Sequence, residues 1–112
     1  MKTFRYAIVG IKHLVASQRN AQIHLGISCI VVAAGFFFKL SIQEWCWIIL
    51  AMMIVWAAEG LNTAIEFLAD AVSKENHPLI EKSKDMAAGA VLICAIGAVV
   101  IGILIFYPHL FL

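Results

Sequence analysis

From Met86 to Leu112 the chain carries no aspartate, glutamate, lysine or arginine. A helix needs about 20 mostly apolar residues to cross the hydrocarbon core of a bilayer, and this run exceeds that length. A soluble fold would have to bury the run on every side, and the remaining sequence is too short and too apolar to cover it. Of the 112 residues, 63% are hydrophobic and 13% charged, against roughly 45–50% and about 25% in ordinary soluble domains. The excess apolar surface is expected to face lipid.

Two further runs suit the same environment. "IHLGISCIVVAAGFFFKL" is flanked by His24 and Lys39, with Lys39 able to snorkel to the interface. "WCWIILAMMIVWAA", Trp45 to Ala58, is uncharged and continues as a helix to about Ala69. These runs predict an all-α integral membrane chain with a single domain over 1–112. Its spans cover about 23–40, 45–69 and 86–108, and Ser41 to Glu44 forms a tight turn between the first two. Trp45 and Trp47 are expected in an interfacial aromatic belt. Cys29, Cys46 and Cys94 lie in apolar runs without CxxC or metal-ligand spacing and read as small packing residues. No secretory signal pattern opens the chain.

Lys2, Arg5, Lys12 and Arg19 precede the first run, and Lys74, Lys82 and Lys84 lie between the second and third. Only Lys39 lies between the first and second. That asymmetry predicts a cytoplasmic N-terminus and an external C-terminus. Phe4, Ile8, Ile11 and Val15 recur at helical spacing, with Arg5, Lys12 and Arg19 on one flank. This predicts an amphipathic helix over about 3–19 that lies in the membrane surface. Ala90, Cys94, Ala98 and Gly102 form a small-residue ridge that lets another helix approach closely, so self-association is expected. No nucleic-acid partner is.

Against this apolar background stands "EGLNTAIEFLAD", residues 59–70. At ~100° per residue, Glu59, Asn62, Glu66 and Asp70 fall within roughly 80° of arc, with Thr63 at the edge. Leu61, Ile65 and Leu68 take the other side. Asp70 is expected near the cytoplasmic interface, Glu66 about one turn in, and Glu59 about 16 Å deeper in the membrane than Asp70 at 1.5 Å per residue. Isolated polar residues in spans can be mere hydrogen-bonding glue. Two partly buried glutamates must instead protonate, pair with cations or bind a metal. Across the next loop comes "NHPLIEKSKDMAAGAVL", where Pro78 suits the first turn of a helix. His77, Glu81, Lys84 and Ala88 are expected on one face of that helix, with Asp85 adjacent. A short connection makes the two helices antiparallel neighbours, which brings Lys84 and Asp85 level with Glu66 and Asp70.

Carboxylates able to hold Mg²⁺ beside a lysine are what phosphoryl transfer requires. No Walker-type or kinase glycine loop is present. The residues leave two rival classes open: a proton-coupled small-molecule transporter, and a structural membrane subunit without chemistry.

"EGLNTAIEFLAD" followed by "HPLIEKSKDMAAGAVL" resembles the signature of the prokaryotic diacylglycerol kinase family, which includes the undecaprenol kinases of Gram-positive bacteria. The likeness runs from about Tyr6 through the last span. "RNAQIHL", residues 19–25, is more similar to the undecaprenol kinase branch. The resemblance implies a homotrimer in the bacterial inner membrane, each subunit with a surface helix and three spans, sharing active sites between subunits. It implies an ATP- and Mg²⁺-dependent lipid kinase acting on diacylglycerol or undecaprenol at the cytoplasmic face. Glu59 would activate the lipid hydroxyl, with Asn62 orienting it. Glu66 would be a ligand to Mg²⁺. Tyr6, Glu75, His77, Lys84 and Asp85 would meet the nucleotide, with Asp70 in support. Many family members carry a second metal-binding glutamate where this chain has Gln18, whose amide oxygen is a weaker donor to a hard cation.

Overall fold

A computed structural model describes residues 2–72 and 77–112, with Ser17 by its backbone alone. Four helices follow one another: α1 (Lys2–Ser17), α2 (Arg19–Phe37), α3 (Ile42–Val72) and α4 (Pro78–Phe111). The last three are each long and apolar enough to cross a membrane. α3 is the most buried of the three, and the other helices pack around it. Much of the apolar surface stays uncovered: Phe37 is 77% exposed and Ile93 74%. In a bilayer that surface costs nothing, because lipid tails are as apolar as the side chains.

The first helix ends sooner than its pattern predicts. Gln18 has extended backbone (φ −113°, ψ 121°), so Arg19 opens α2 and does not continue the Arg5–Lys12 flank of α1. The last carbonyls of a helix lack intrahelical partners. Here the Gln22 amide donates to the carbonyls of Val15 and Ala16, at 3.4 and 3.3 Å. A side chain of α2 thus closes the end of α1.

The connection from α2 to α3 is a pair of interlocking caps. Leu40 N–H donates to the Gly35 carbonyl (3.1 Å) and Lys39 N–H to that of Phe36 (3.3 Å), the two bonds of a Schellman motif. The motif puts Lys39 in the left-handed region (φ 55°), where a residue with a Cβ pays roughly 1–2 kcal/mol. Ser41 and Glu44 then form a capping box: Ser41 N–H donates to Glu44 Oε1 (2.9 Å) and Glu44 N–H to Ser41 Oγ (3.1 Å). The turn therefore occupies residues 38–41, and Glu44 belongs to the first turn of α3.

Around this turn Leu40, Ile48 and Ile105 form a buried cluster, with Phe38, Trp45, Met52 and Phe106 packed against it. Trp45 is half-buried there, whereas Trp47 is 56% exposed. The interfacial position expected of both indoles fits Trp47 better. Trp45 lies on Gly35 so closely that an added Cβ would overlap Trp45 Cη2 and stand 2.8 Å from Cζ2. Gly35→Ala is expected to destabilise the fold by about 1–3 kcal/mol, the usual cost of overpacking. The midpoint of denaturant unfolding measures this, and an unchanged midpoint would mean that the indole moves aside freely.

α3 and α4 run antiparallel and are tied near both ends. Glu44 Oε2 meets His109 Nε2 at 2.9 Å, and Asp70 Oδ1 meets Lys84 Nζ at 3.2 Å. Along α3 the two pairs lie roughly 39 Å apart at 1.5 Å per residue, a length comparable to the about 40–45 Å of a bilayer with its headgroup regions.

Candidate active site

The polar face of α3 is the centre of the molecule's polar chemistry. Glu59, Asn62 and Thr63 are buried, Glu66 is half-buried, and Asp70 is exposed. The opposite side presents Leu61 and Leu68 outward. Each of the other helices touches this face or its border at a different level. α1 brings Leu14, whose Cδ2 lies 3.5 Å from where a Gly60 Cβ would stand. α4 brings Lys84 to Asp70, and α2 brings His24 to Glu59.

Glu59 is the most enclosed charged residue described, its side chain 4% exposed, with Oε2 3.5 Å from His24 Nε2. A buried carboxylate needs a polar partner, and the imidazole supplies one. The His24 ring meets Trp56 in a T-shaped contact (centroids 6.3 Å apart), and Trp56 Nε1–H donates to Ser28 Oγ at 3.1 Å. Residues 24 and 28 lie one turn apart on α2, as do 56 and 59 on α3, so one helix crossing brings all four together. From the sequence His24 reads as the flank of a span and part of the 19–25 segment, and neither Ser28 nor Trp56 stands out. The signal was a titratable residue inside an apolar segment, which is expensive without a function or partner.

One turn on, Asn62 Nδ2 donates to Glu66 Oε1 at 3.4 Å, a hydrogen bond between i and i+4 side chains. Asn62 Oδ1 and Thr63 Oγ1 are buried and have no hydrogen-bond partner among the described residues, which is unusual for buried polar atoms. Among the described residues no group of three His, Cys, Asp or Glu side chains gathers into a metal cage. The donor set instead suits a hard cation that arrives with its own ligands. The Glu66 carboxylate and the orphaned Asn62 oxygen offer one or two protein ligands, the number Mg²⁺ uses when phosphates and water complete its shell.

At the exposed end Lys84 is held against Asp70, while Tyr6 and Asp85 are exposed. His77 does not share a helical face with Glu81 and Lys84. It is the N-cap of α4, with extended backbone, and its Nδ1 accepts the Leu79 N–H at 3.2 Å ahead of Pro78. Gln18 is half-buried at the break between α1 and α2. Glu75 lies outside the described residues.

Two apolar clefts flank Trp56. One of about 280 Å³ lies between α2, α3 and α4, with His24 and Ser28 among its lining and Ala98 and Gly102 on the far wall. The other, about 480 Å³, lies between α1 and α3 and borders Thr63. Apolar walls with a few polar groups are the usual make-up of a site for a small, mostly apolar ligand.

The model of the family described as prokaryotic diacylglycerol kinase matches residues 5–106. The chain belongs to the prokaryotic diacylglycerol kinase family. Membership makes it a lipid kinase, and its three long apolar helices make it a multi-pass membrane protein. This kinase is 42% identical over 109 residues to the undecaprenol kinase of Bacillus subtilis, covering 97% of this chain and 89% of that one. A diacylglycerol kinase of Synechocystis is 38% identical over 109 residues, covering 96% of this chain and 62% of the relative. The Escherichia coli diacylglycerol kinase is 39% identical over 85 residues, covering 67% of this chain and 70% of its own.

Proposed function

We propose that this kinase transfers the γ-phosphoryl group of ATP, in the presence of Mg²⁺, to the hydroxyl of a membrane lipid at the cytoplasmic face. The observation that carries the reading is the continuity of one helix face, from the buried Glu59 through the Asn62–Glu66 pair to the exposed Asp70–Lys84 pair. A lipid hydroxyl reaches such a face from the bilayer, and a nucleotide reaches it from water. Glu59 takes the hydroxyl proton as the oxygen attacks the γ-phosphorus, and ADP leaves with the bridging oxygen. Asn62 orients the hydroxyl. Mg²⁺, held by Glu66 with help from Asn62 Oδ1, would neutralise phosphate charge. Lys84, steadied by Asp70, contacts the phosphates, with Asp85, Tyr6, His77 and Glu75 around the nucleotide.

The lipid is undecaprenol or diacylglycerol. The likeness of residues 19–25 to the undecaprenol kinases and the 42% identity to the Bacillus subtilis undecaprenol kinase favour undecaprenol. α1 exposes Phe4, Tyr6, Ile8 and Ile11, which supports a helix lying in the membrane surface beside the lipid entry. The ridge of small residues on α4, Ala90, Cys94, Ala98 and Gly102, supports self-association, as a homotrimer by likeness to the family. The basic residues gathered before α2 and around the start of α4 support an inner-membrane orientation with the N-terminus in the cytoplasm. A proton-coupled transporter is not favoured. Family membership speaks for a kinase, and α3 has no charged residue from Trp45 to Ala58, where a site open to both sides would need one.

The test incubates purified protein with labelled ATP, Mg²⁺ and mixed micelles holding undecaprenol or diacylglycerol in parallel. Label is expected in undecaprenol above diacylglycerol. Label in neither lipid, with protein that is folded and associated, would overturn the reading.

A further inference from the structure

We propose that His24 is the positioning residue for Glu59: its Nε2–H holds Glu59 Oε2, so that Oε1 is the oxygen turned to the lipid hydroxyl. This rests on the reading of Glu59 as the base. The contact is 3.5 Å, between a carboxylate side chain 4% exposed and an imidazole 23% exposed. Contacts of this kind are often long without substrate and tighten when the reacting complex forms.

The choice of residue type suits the task. A buried carboxylate with no partner would have no fixed orientation and an uncompensated desolvation cost. A lysine or arginine would supply a partner only at the end of a long, flexible stem. An imidazole donates its N–H from a rigid ring, so it fixes the direction of the carboxylate. The ring is itself held from behind. Its T-shaped contact with Trp56, and the bond from Trp56 Nε1–H to Ser28 Oγ, tie the imidazole to both α2 and α3. The support therefore comes from two packed helices and not from one mobile side chain, as preorganisation of a reacting group requires.

The experiment compares His24→Phe, which keeps a ring against Trp56 but has no donor, with His24→Gln, which keeps an N–H donor. Steady-state rates are measured against both lipid and MgATP, with Glu59→Gln alongside. His24→Phe is expected to lower kcat by about 10²-fold, the scale of a small misplacement of a reacting group. KM for either substrate should stay within about two-fold, and His24→Gln should recover most of kcat. If His24→Phe does not assemble, His24→Leu replaces it in the same comparison. A donorless variant that turns over like the parent, or a Gln variant as slow as the donorless one, overturns the proposal while Glu59→Gln remains inactive. Turnover retained by Glu59→Gln instead removes the base, and the positioning role with it.

Discussion

Glu59→Gln is expected to reduce phosphoryl transfer to lipid by about 10²- to 10⁴-fold, the contribution a general base makes, while the protein still folds and associates. Glutamine keeps the shape of the side chain and one of its two oxygens, with an NH₂ group in place of the other. It cannot take the proton that the lipid hydroxyl must lose before its oxygen bonds to phosphorus. Because Glu59 is buried beside His24, the neutral amide also lightens the desolvation load, so stability should hold or rise. Lipid phosphorylation, together with the thermal midpoint, checks both halves. A variant that turns over normally would exclude Glu59 from proton transfer, and one that fails to fold would assign it a structural role.

Glu66→Ala is expected to cost about 10²-fold or more in rate at low millimolar Mg²⁺, with partial recovery as Mg²⁺ is raised. A metal ion contributes several kcal/mol of charge stabilisation to the transferring group, and here Glu66 is the only carboxylate on the stretch of face between Glu59 and Asp70. Removing the Glu66 side chain also frees Asn62 Nδ2 from its hydrogen bond, in a place where Asn62 Oδ1 has no partner among the described residues. Rate as a function of Mg²⁺ concentration, at saturating ATP and lipid, measures the effect. A Mg²⁺ dependence identical to the parent would take Glu66 out of metal binding.

Much of this was legible in the chain itself. Hydrocarbon admits backbone only as helix or closed barrel, and apolar runs of about 20 residues are helix length and not strand length, so the all-helical membrane fold was legible before any contact was known. The helical period placed Glu59, Asn62, Glu66 and Asp70 on one face, because their spacing alone decides it. Charge expense in lipid marked that face as functional, and the paired motifs pointed to the family. Local chemistry was legible in part: Pro78 opens α4 as its fitness for a first turn predicts, whereas His77, expected on a face of that helix, caps it.

What the tertiary structure alone decided lies between helices. Nothing in the chain alone says that Gln22 closes the end of α1 and leaves Arg19 on α2, or that Trp45 settles on Gly35. Nor does it join Trp56 to Ser28, or His109 to Glu44 across the length of α3 and α4. His24 reaches Glu59 only because α2 crosses α3 at that level. Periodicity tells which side of a helix a residue is on. Which residue it meets depends on the rotation, crossing and register of two packed helices, and those follow from how whole surfaces of side chains fit together.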